Sequence, residues 1–163
     1  MAGYSSTPLP KKLGIKEGSR VLLLGAPKDF ERTLGALPAL ASLARKAPRG
    51  GPFDVVIRFF TSEAELGREF GHAKAHLATD GGLWIAWPKK ASGVPTDVTE
   101  NTVRACALAS GLVDNKVCAI DDVWSGLRVV YRVADRPKEG AKRAAKKATR
   151  DAKPGTRGVT PRR

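Results

Sequence analysis

Cysteine and histidine are both scarce in this chain of 163 residues, which contains two of each. Cys106 and Cys118 have eleven residues between them, which is neither a close CxxC pair nor a disulfide framework. We therefore expect two reduced, buried thiols. The scarcity argues against a small secreted domain that depends on disulfides.

Long apolar runs are also missing. No run approaches the roughly 18 residues that cross a bilayer, and the first residues lack the apolar stretch of a secretory signal. The sequence therefore predicts a cytoplasmic protein. Since 42% of the residues are apolar, the chain can form one globular core.

Apolar and acidic residues are both few in the segment 137–163. It contains ten Lys or Arg and two acidic residues, has no aromatic residue, and Val159 is its one large aliphatic residue. We expect this segment to be disordered, because it cannot bury enough apolar surface to offset the entropy of ordering. The predicted organisation is an α/β domain at residues 1–136 followed by a basic tail.

The tail suggests a polyanion as partner. In a helical conformation its basic residues would form a stripe that follows the phosphates of nucleic acid without reading the sequence. These residues are Lys142, Arg143, Lys146, Lys147 and Arg150. The alternative is a charged extension with no dedicated partner.

Strands and helices alternate along the rest of the chain. Continuous β-branched and aromatic runs indicate buried parallel strands, and Ser62 is a suitable cap for the helix that follows it. Strands are predicted at residues 20–24, 54–60, 83–87, 116–120 and 127–133, and helices at about 9–13, 62–77 and 97–110. The pattern predicts a small Rossmann-like α/β domain: a mostly parallel sheet that ends in an antiparallel hairpin, with helices on both faces.

The order of these elements resembles the class I methyltransferase fold over residues 16–133. The resemblance lies in the approach to the first strand, the central strand, the helix-turn-strand after it and the final hairpin. The first three read Glu17-Gly18-Ser19-Arg20-Val21-Leu22, Asp54-Val55-Val56 and Leu77-Ala78-Thr79-Asp80-Gly81-Gly82-Leu83-Trp84. The resemblance implies that fold, with S-adenosylmethionine (SAM) as its ligand.

The chain is also similar to a family of short bacterial proteins that share a domain of unknown function. The similarity lies in two sequence segments, Thr7-Pro8-Leu9-Pro10-Lys11-Lys12-Leu13-Gly14-Ile15 and Trp87-Pro88-Lys89-Lys90-Ala91-Ser92-Gly93. It implies no particular activity.

The loop after the first strand departs from the pattern of a nucleotide site. Such a site has several glycines, and a carboxylate about 20 residues on for the ribose hydroxyls. Here Gly25 is followed by Ala26-Pro27-Lys28-Asp29, and no acidic residue occurs between Arg32 and Phe53. That interval has room for a helix and a loop but hardly for two strands, so we predict that the ribose acid is missing along with its strand and that no cofactor is bound.

Basic residues in the same interval suggest one alternative. Arg45, Lys46 and Arg49 are available for the extra phosphate of NADP. The glycine pattern fails for NADP as it does for SAM, and a solvated helix end and loop account for the three residues.

A ligand-binding edge is the main site hypothesis. Ligands of open α/β sheets bind outside the carboxyl ends of the strands, and four loops meet there. Their candidate residues are Gly25, Ala26, Thr61, Ser62, Lys89, Lys90, Ser92, Asp121, Asp122 and Trp124. Lysines, hydroxyls and an indole suit a small anion or a nucleotide. A structural role explains the same residues, as a helix cap, loop solvation and a cover over the sheet.

No metal site and no catalytic residue is predicted. His72 and His76 share a helix face at the spacing of two zinc ligands, but no glutamate lies beside His72 and there is no third histidine. The pair Asp121-Asp122 suits a hard cation, without further acids near it in sequence. There is no Gly-x-Ser-x-Gly elbow, and nothing in the sequence supports Cys106 as a nucleophile.

Taken together, these features predict a cytoplasmic, non-enzymatic α/β binding or regulatory module whose basic tail favours nucleic acid or another polyanion. The alternative is a shortened SAM-dependent methyltransferase-like enzyme that uses the edge of Gly25, Thr61 and Lys89. A third hypothesis is a subunit that completes its small sheet by pairing with a partner protein.

Overall fold

The computed structural model describes residues 7–46 and 52–136, in which six strands and four α-helices form one layered domain. The strands are β1 (Arg20–Leu24), β2 (Ser42–Ala44), β3 (Phe53–Phe59), β4 (Leu77–Pro88), β5 (Leu112–Ala119) and β6 (Trp124–Tyr131). The helices are α1 (Leu9–Lys12), α2 (Phe30–Leu34), α3 (Glu63–Ala75) and α4 (Glu100–Ala109). Short 3-10 turns occupy Lys90–Ser92 and Val133–Asp135.

The strands form one sheet in the order β2-β1-β3-β4-β6-β5. The pairs β1 with β2, β1 with β3 and β3 with β4 are parallel, whereas β6 is antiparallel to both β4 and β5. One antiparallel strand therefore lies inside an otherwise parallel sheet. This architecture confirms the predicted fold class, including the closing hairpin.

Helices cover both faces of the sheet. On one face, α3 and α4 place Leu66, Phe70 and Val103 against alternate residues of the central strands. The other face packs against the short helices α1 and α2, and its centre is Trp84, which is fully buried. Since the central strands are buried on both faces, their sequences are almost continuously apolar.

Side chains define the starts of the two long helices. Ser62 Oγ accepts the backbone N–H of Glu65, as its predicted capping role requires. Thr99 Oγ1 accepts the N–H of Thr102, and the Thr102 hydroxyl oxygen accepts the N–H of Thr99, which completes a capping box. These caps fix where each helix leaves the carboxyl edge of the sheet.

The structure corrects several of the predicted elements. The segment 78–82 is not a turn, because β4 runs through it and shifts register against β3 between Phe53 and Val55. Trp124, Ser125 and Gly126 belong to β6 rather than to the loop before it. The interval after Arg32 contains β2, which pairs with β1, so the strand predicted to be missing is present.

Candidate functional site

The carboxyl ends of the strands bring the four predicted loops together. Leu24 at the end of β1 lies opposite Arg58 of β3, and Phe59 lies opposite Ala86 of β4. The loops after β4 and before β6 are joined by a hydrogen bond from the Lys89 N–H to the Val123 carbonyl oxygen, at 2.7 Å. The four loops therefore follow neighbouring strands at one edge of the sheet.

Several candidate side chains at this edge stabilise the loops themselves. Ser62 caps α3, and the Ser92 hydroxyl donates to the carbonyl oxygen of Lys89 at 2.6 Å. Asp121 Oδ1 accepts the N–H groups of Val123 and Trp124, each at 2.8 Å. The Thr61 carbonyl oxygen accepts the hydroxyl of Thr96. The structural explanation therefore holds for Ser62, Ser92 and Asp121.

Other predicted residues face solvent at the same edge. Gly25, Thr61, Lys90 and Asp122 are exposed, and Lys89 is half-buried. No observation assigns a ligand to them, so their role remains a prediction.

An aromatic cluster lies below this edge on the α2 side of the sheet. The Phe59 ring makes edge-on contacts of 5.0 Å between ring centroids with both Phe30 and Trp124. Trp124 is partly exposed and packs against this cluster. This packing fits the structural explanation of Trp124 as a cover, and its role towards a ligand stays a prediction.

The turn after β1 is built on Gly25. Its φ is +67°, a left-handed conformation that favours glycine. A Cβ added there would collide with Nη1 of Arg58 and lie 3.3 Å from the carbonyl oxygen of Phe59. The glycine therefore allows the guanidinium of Arg58 to lie directly beneath the turn.

The residue after β2 is Arg45, where a ribose-binding domain carries an acid. Its guanidinium forms a two-pronged ion pair with Glu31 of α2, with both N–O distances at 2.6 Å. It also donates to the carbonyl oxygens of Ala26, Pro27 and Lys28, at 3.4, 2.8 and 3.2 Å. Arg45 thus ties the turn after β1 to the end of β2, and is not a freely solvated loop residue.

The ion pair changes the acidity of Glu31. Hydrogen bonding to Arg45 is the main cause that lowers the pKa of Glu31 from its usual 4.5 to about 2. Glu31 is therefore ionised throughout the neutral range. Because the folded-state pKa is the lower one, the pair stabilises the fold above about pH 4.5, and this contribution is lost as the pH falls towards 2.

Replacing Arg45 with methionine is expected to return the pKa of Glu31 towards 4.5, because the main stabilising partner of the carboxylate is gone. The carboxyl ¹³C shift of Glu31, followed by NMR from pH 6 to pH 2, measures this. Arg104→Met is the matched control, since it removes a similar ion pair with Glu100 on α4. A Glu31 titration near pH 4.5 in the unaltered chain would contradict the ion pair.

The two histidines do not form a metal site with other residues that the structure describes. The ring centroids of His72, on α3, and His76, at the C-terminal end of α3, lie 5.0 Å apart. Burial lowers the pKa of His76, and the charge of His72 lowers it further. Within residues 7–46 and 52–136, no three His, Cys, Asp or Glu side chains come together as metal ligands would.

An open cleft of about 360 Å³ lies at the amino edge of the sheet. Its walls include Lys16, Asp54, Asp80 and Arg128. Burial lowers the pKa of Arg128, and the charge of Arg136 adds to this. Ligands of open α/β sheets bind at the opposite edge, so the loops at the carboxyl edge are the candidate site.

Two predictions concern features beyond this geometry. The basic tail, with Lys142, Arg143, Lys146, Lys147 and Arg150, and the residue Arg49 lie outside the described residues. In the described part of the chain, no helix has the length and apolar character that crossing a membrane requires. The cytoplasmic location stays a prediction.

The fold matches 130 solved protein chains. A SAM-dependent methyltransferase from Aquifex aeolicus is 16% identical with a TM-score of 0.55, over 74% of this chain and 86% of that one. Magnesium protoporphyrin IX methyltransferase from Synechocystis PCC 6803, solved with bound SAM, is 14% identical with a TM-score of 0.54, over 76% and 74%. Fibrillarin from Aeropyrum pernix, solved with natively bound S-adenosyl-L-methionine, is 14% identical with a TM-score of 0.50, over 78% and 70%.

No family model and no curated protein matches the sequence. The structural matches confirm the predicted resemblance to a methyltransferase-like Rossmann domain. They contradict the prediction of a non-enzymatic binding or regulatory module, because the matched proteins are SAM-dependent methyltransferases. The comparison favours the alternative that the sequence left open, a shortened enzyme of this type.

Proposed function

We propose that the chain is a shortened SAM-dependent methyltransferase-like enzyme whose cofactor binds at the carboxyl edge, beside the turn after β1. The observation that carries the proposal is the strand order β2-β1-β3-β4-β6-β5, with β6 antiparallel and a left-handed glycine directly after β1. At this level of identity the likeness to solved methyltransferases concerns the fold. The proposal extends it to activity.

The residues fit SAM in part. Gly25 supplies the left-handed first turn, and the space that a side chain there would fill is occupied by the guanidinium of Arg58. The end of β2 does not fit a ribose in the usual way, because Arg45 stands there in place of an acid. The carboxylate at this position comes instead from Glu31, which Arg45 holds from the neighbouring helix.

Glu31 has the properties that a ribose diol needs. Its carboxylate is ionised, its side chain is 45% exposed, and its oxygens keep acceptor capacity beyond their bonds to Arg45 and to the backbone of Glu31 itself. We propose that Glu31 accepts hydrogen bonds from the ribose hydroxyls. The partly exposed Trp124, which packs on the buried Phe59 ring, would exclude water from one side of the ligand.

Bound SAM supplies an electrophilic methyl group for transfer to a nucleophile. The part played by this chain is to bind and orient the cofactor at the edge, through the turn at Gly25 and the Glu31 carboxylate.

Calorimetric titration of the full chain with SAM and with S-adenosylhomocysteine tests the proposal. We expect saturable binding in the micromolar range, and about a tenfold loss in Glu31→Gln, because one charge-assisted hydrogen-bond acceptor is lost. Glu100→Gln is the matched control, since Glu100 is also paired with an arginine but lies on α4. Its affinity should equal that of the unaltered chain.

Two results would count against the proposal. If neither SAM nor S-adenosylhomocysteine binds saturably, SAM is not the cofactor of this chain. Equal loss of affinity in Glu31→Gln and Glu100→Gln would show that the effect is general and that Glu31 is not at the site.

A further inference from the structure

Arg58 lies at the point of the sheet where successive strand connections run to opposite sides. The chain leaves β1 towards β2 on one side, and leaves β3 towards β4 on the other. The carboxyl ends of β1 and β3 therefore form the switch point at which open α/β sheets bind their ligands. Arg58 is the second-last residue of β3 and lies opposite Leu24, the last residue of β1.

The side chain of Arg58 is largely withdrawn from solvent, with 13% of its surface exposed. Its guanidinium packs 4.5 Å from the centroid of the Phe60 ring and occupies the space that a side chain at position 25 would need. The cation is thus held in a fixed place directly beneath the left-handed turn. Such a placement is costly unless the charge has a partner.

Its protein partner is weak. Among the described residues, the guanidinium makes one hydrogen bond, from Nη2 to Glu65 Oε2 at 3.4 Å. This distance is near the limit for a hydrogen bond, and the Glu65 side chain is 37% exposed. A guanidinium carries five N–H donors, so most of its capacity remains for another acceptor.

The start of α3 does not provide a competing anion site. The Glu63 N–H is bound by Asp97 Oδ1 at 2.7 Å, and the Glu65 N–H is bound by Ser62. Glu63 and Glu65 also place negative charge in the first turn. An anion at this junction would therefore be held by the guanidinium rather than by the helix end.

We propose that Arg58 is the receptor for an anionic group, a carboxylate or a phosphate, on a ligand that binds at the junction of β1 and β3. The ligand's oxygens replace the long contact with Glu65, which turns towards solvent. The inference rests on the proposed function for the location of the ligand. SAM carries one suitable group, its amino-acid carboxylate, and a nucleotide would supply the other.

The test compares Arg58→Met with the unaltered full-length chain, at constant ionic strength, with SAM and inorganic phosphate as separate calorimetric probes. At least one probe is expected to bind saturably, and its affinity should fall about tenfold or more in Arg58→Met because the charged donor is gone. Arg58→Lys should lose several-fold, since lysine keeps the charge but not the two-pronged geometry. It also provides a readout if Arg58→Met does not fold.

Two controls separate binding from folding. Arg104→Met removes another ion-paired arginine far along the chain and should leave both affinities unchanged. Glu65→Gln removes the competing carboxylate, so the affinity for the probe should stay equal or increase. If Arg58 only anchored α3, Glu65→Gln and Arg58→Met would lower thermal stability alike and leave the affinities equal. That result would overturn the inference.

The two probes identify the source of the anion. Loss of SAM binding alone assigns the carboxylate, and loss of phosphate binding assigns a phosphate. Phosphate held through Arg58 without any SAM binding would end the proposed function and leave this inference standing. If the unaltered chain and Arg58→Met bind SAM equally, and phosphate binding does not depend on Arg58, this inference fails and the proposed function stands. Any weak binding to the basic tail is common to all variants and does not depend on Arg58.

Discussion

Replacing Trp84 with alanine is expected to lower the free energy of unfolding by about 4 kcal/mol, in the middle of the range for a buried aromatic residue. Trp84 is fully buried in β4, between β3 and β6. Its indole N–H donates to the carbonyl oxygen of Leu13 at 2.9 Å, which fixes the end of α1 against the sheet. The substitution leaves a cavity and removes the partner of a buried carbonyl. Urea denaturation followed by circular dichroism measures the loss.

Phenylalanine substitutions isolate the contribution of the hydrogen bond. Trp84→Phe loses ring volume and the bond to Leu13. Trp87→Phe loses the same volume on the opposite face, where the indole makes no hydrogen bond with a described residue. The first should therefore cost about 1 kcal/mol more than the second. Equal costs would show that the bond to Leu13 contributes nothing to the position of α1.

The elements that the sequence predicts best are those with strong local signals. Strand β1 was predicted with its observed bounds because Arg20–Leu24 is a short apolar run between turns. Helix α3 starts as predicted because Ser62 is a good cap. In both cases local preference and tertiary packing favour the same conformation.

The missed elements lack such signals. Ser42–Ala44 has no β-branched or aromatic residue, and it becomes β2 because its backbone pairs with β1. In β4, Gly81 and Gly82 suggest a turn, although both lie inside the strand. A Cβ at Gly82 would collide with the side chain of Arg128, which crosses over it. A glycine that makes room for a distant residue cannot be distinguished from a turn glycine by sequence alone.

The same reasoning applies to the candidate site. Sequence order alone places four loops at one edge, because the ends of parallel strands must meet there. The contacts that define the site's charges join residues that are far apart in sequence. Arg45 reaches Glu31 across the end of β2, and Arg58 fills the space left by Gly25. The absence of an acid after Arg32 was visible in the sequence, but the pairing of Arg45 with Glu31 of α2 was not.

Replacing Gly81 with alanine is expected to cost about 3 kcal/mol of unfolding free energy, at the upper end for overpacking. The new Cβ would lie 2.5 Å from the carbonyl oxygen of Asp54 and 3.2 Å from Leu77 Cδ1. Gly81 has no left-handed backbone, so this cost arises from contact and not from φ. The obstacle is backbone, which moves only with β3. Because Asp54 Oδ2 also accepts the N–H of Arg20 at 2.8 Å, the displacement reaches β1.

Gly71→Ala is the matched control for this substitution. Gly71 lies on the exposed side of α3 with nothing within 4 Å of a new Cβ, so alanine should stabilise the chain by about 0.5–1 kcal/mol through helix propensity. The two alanine variants should therefore shift the urea midpoint in opposite directions. If Gly81→Ala instead unfolds at the midpoint of the unaltered chain, the tight approach of β4 to Asp54 is wrong, and with it the register shift that brings Gly82 opposite Val55.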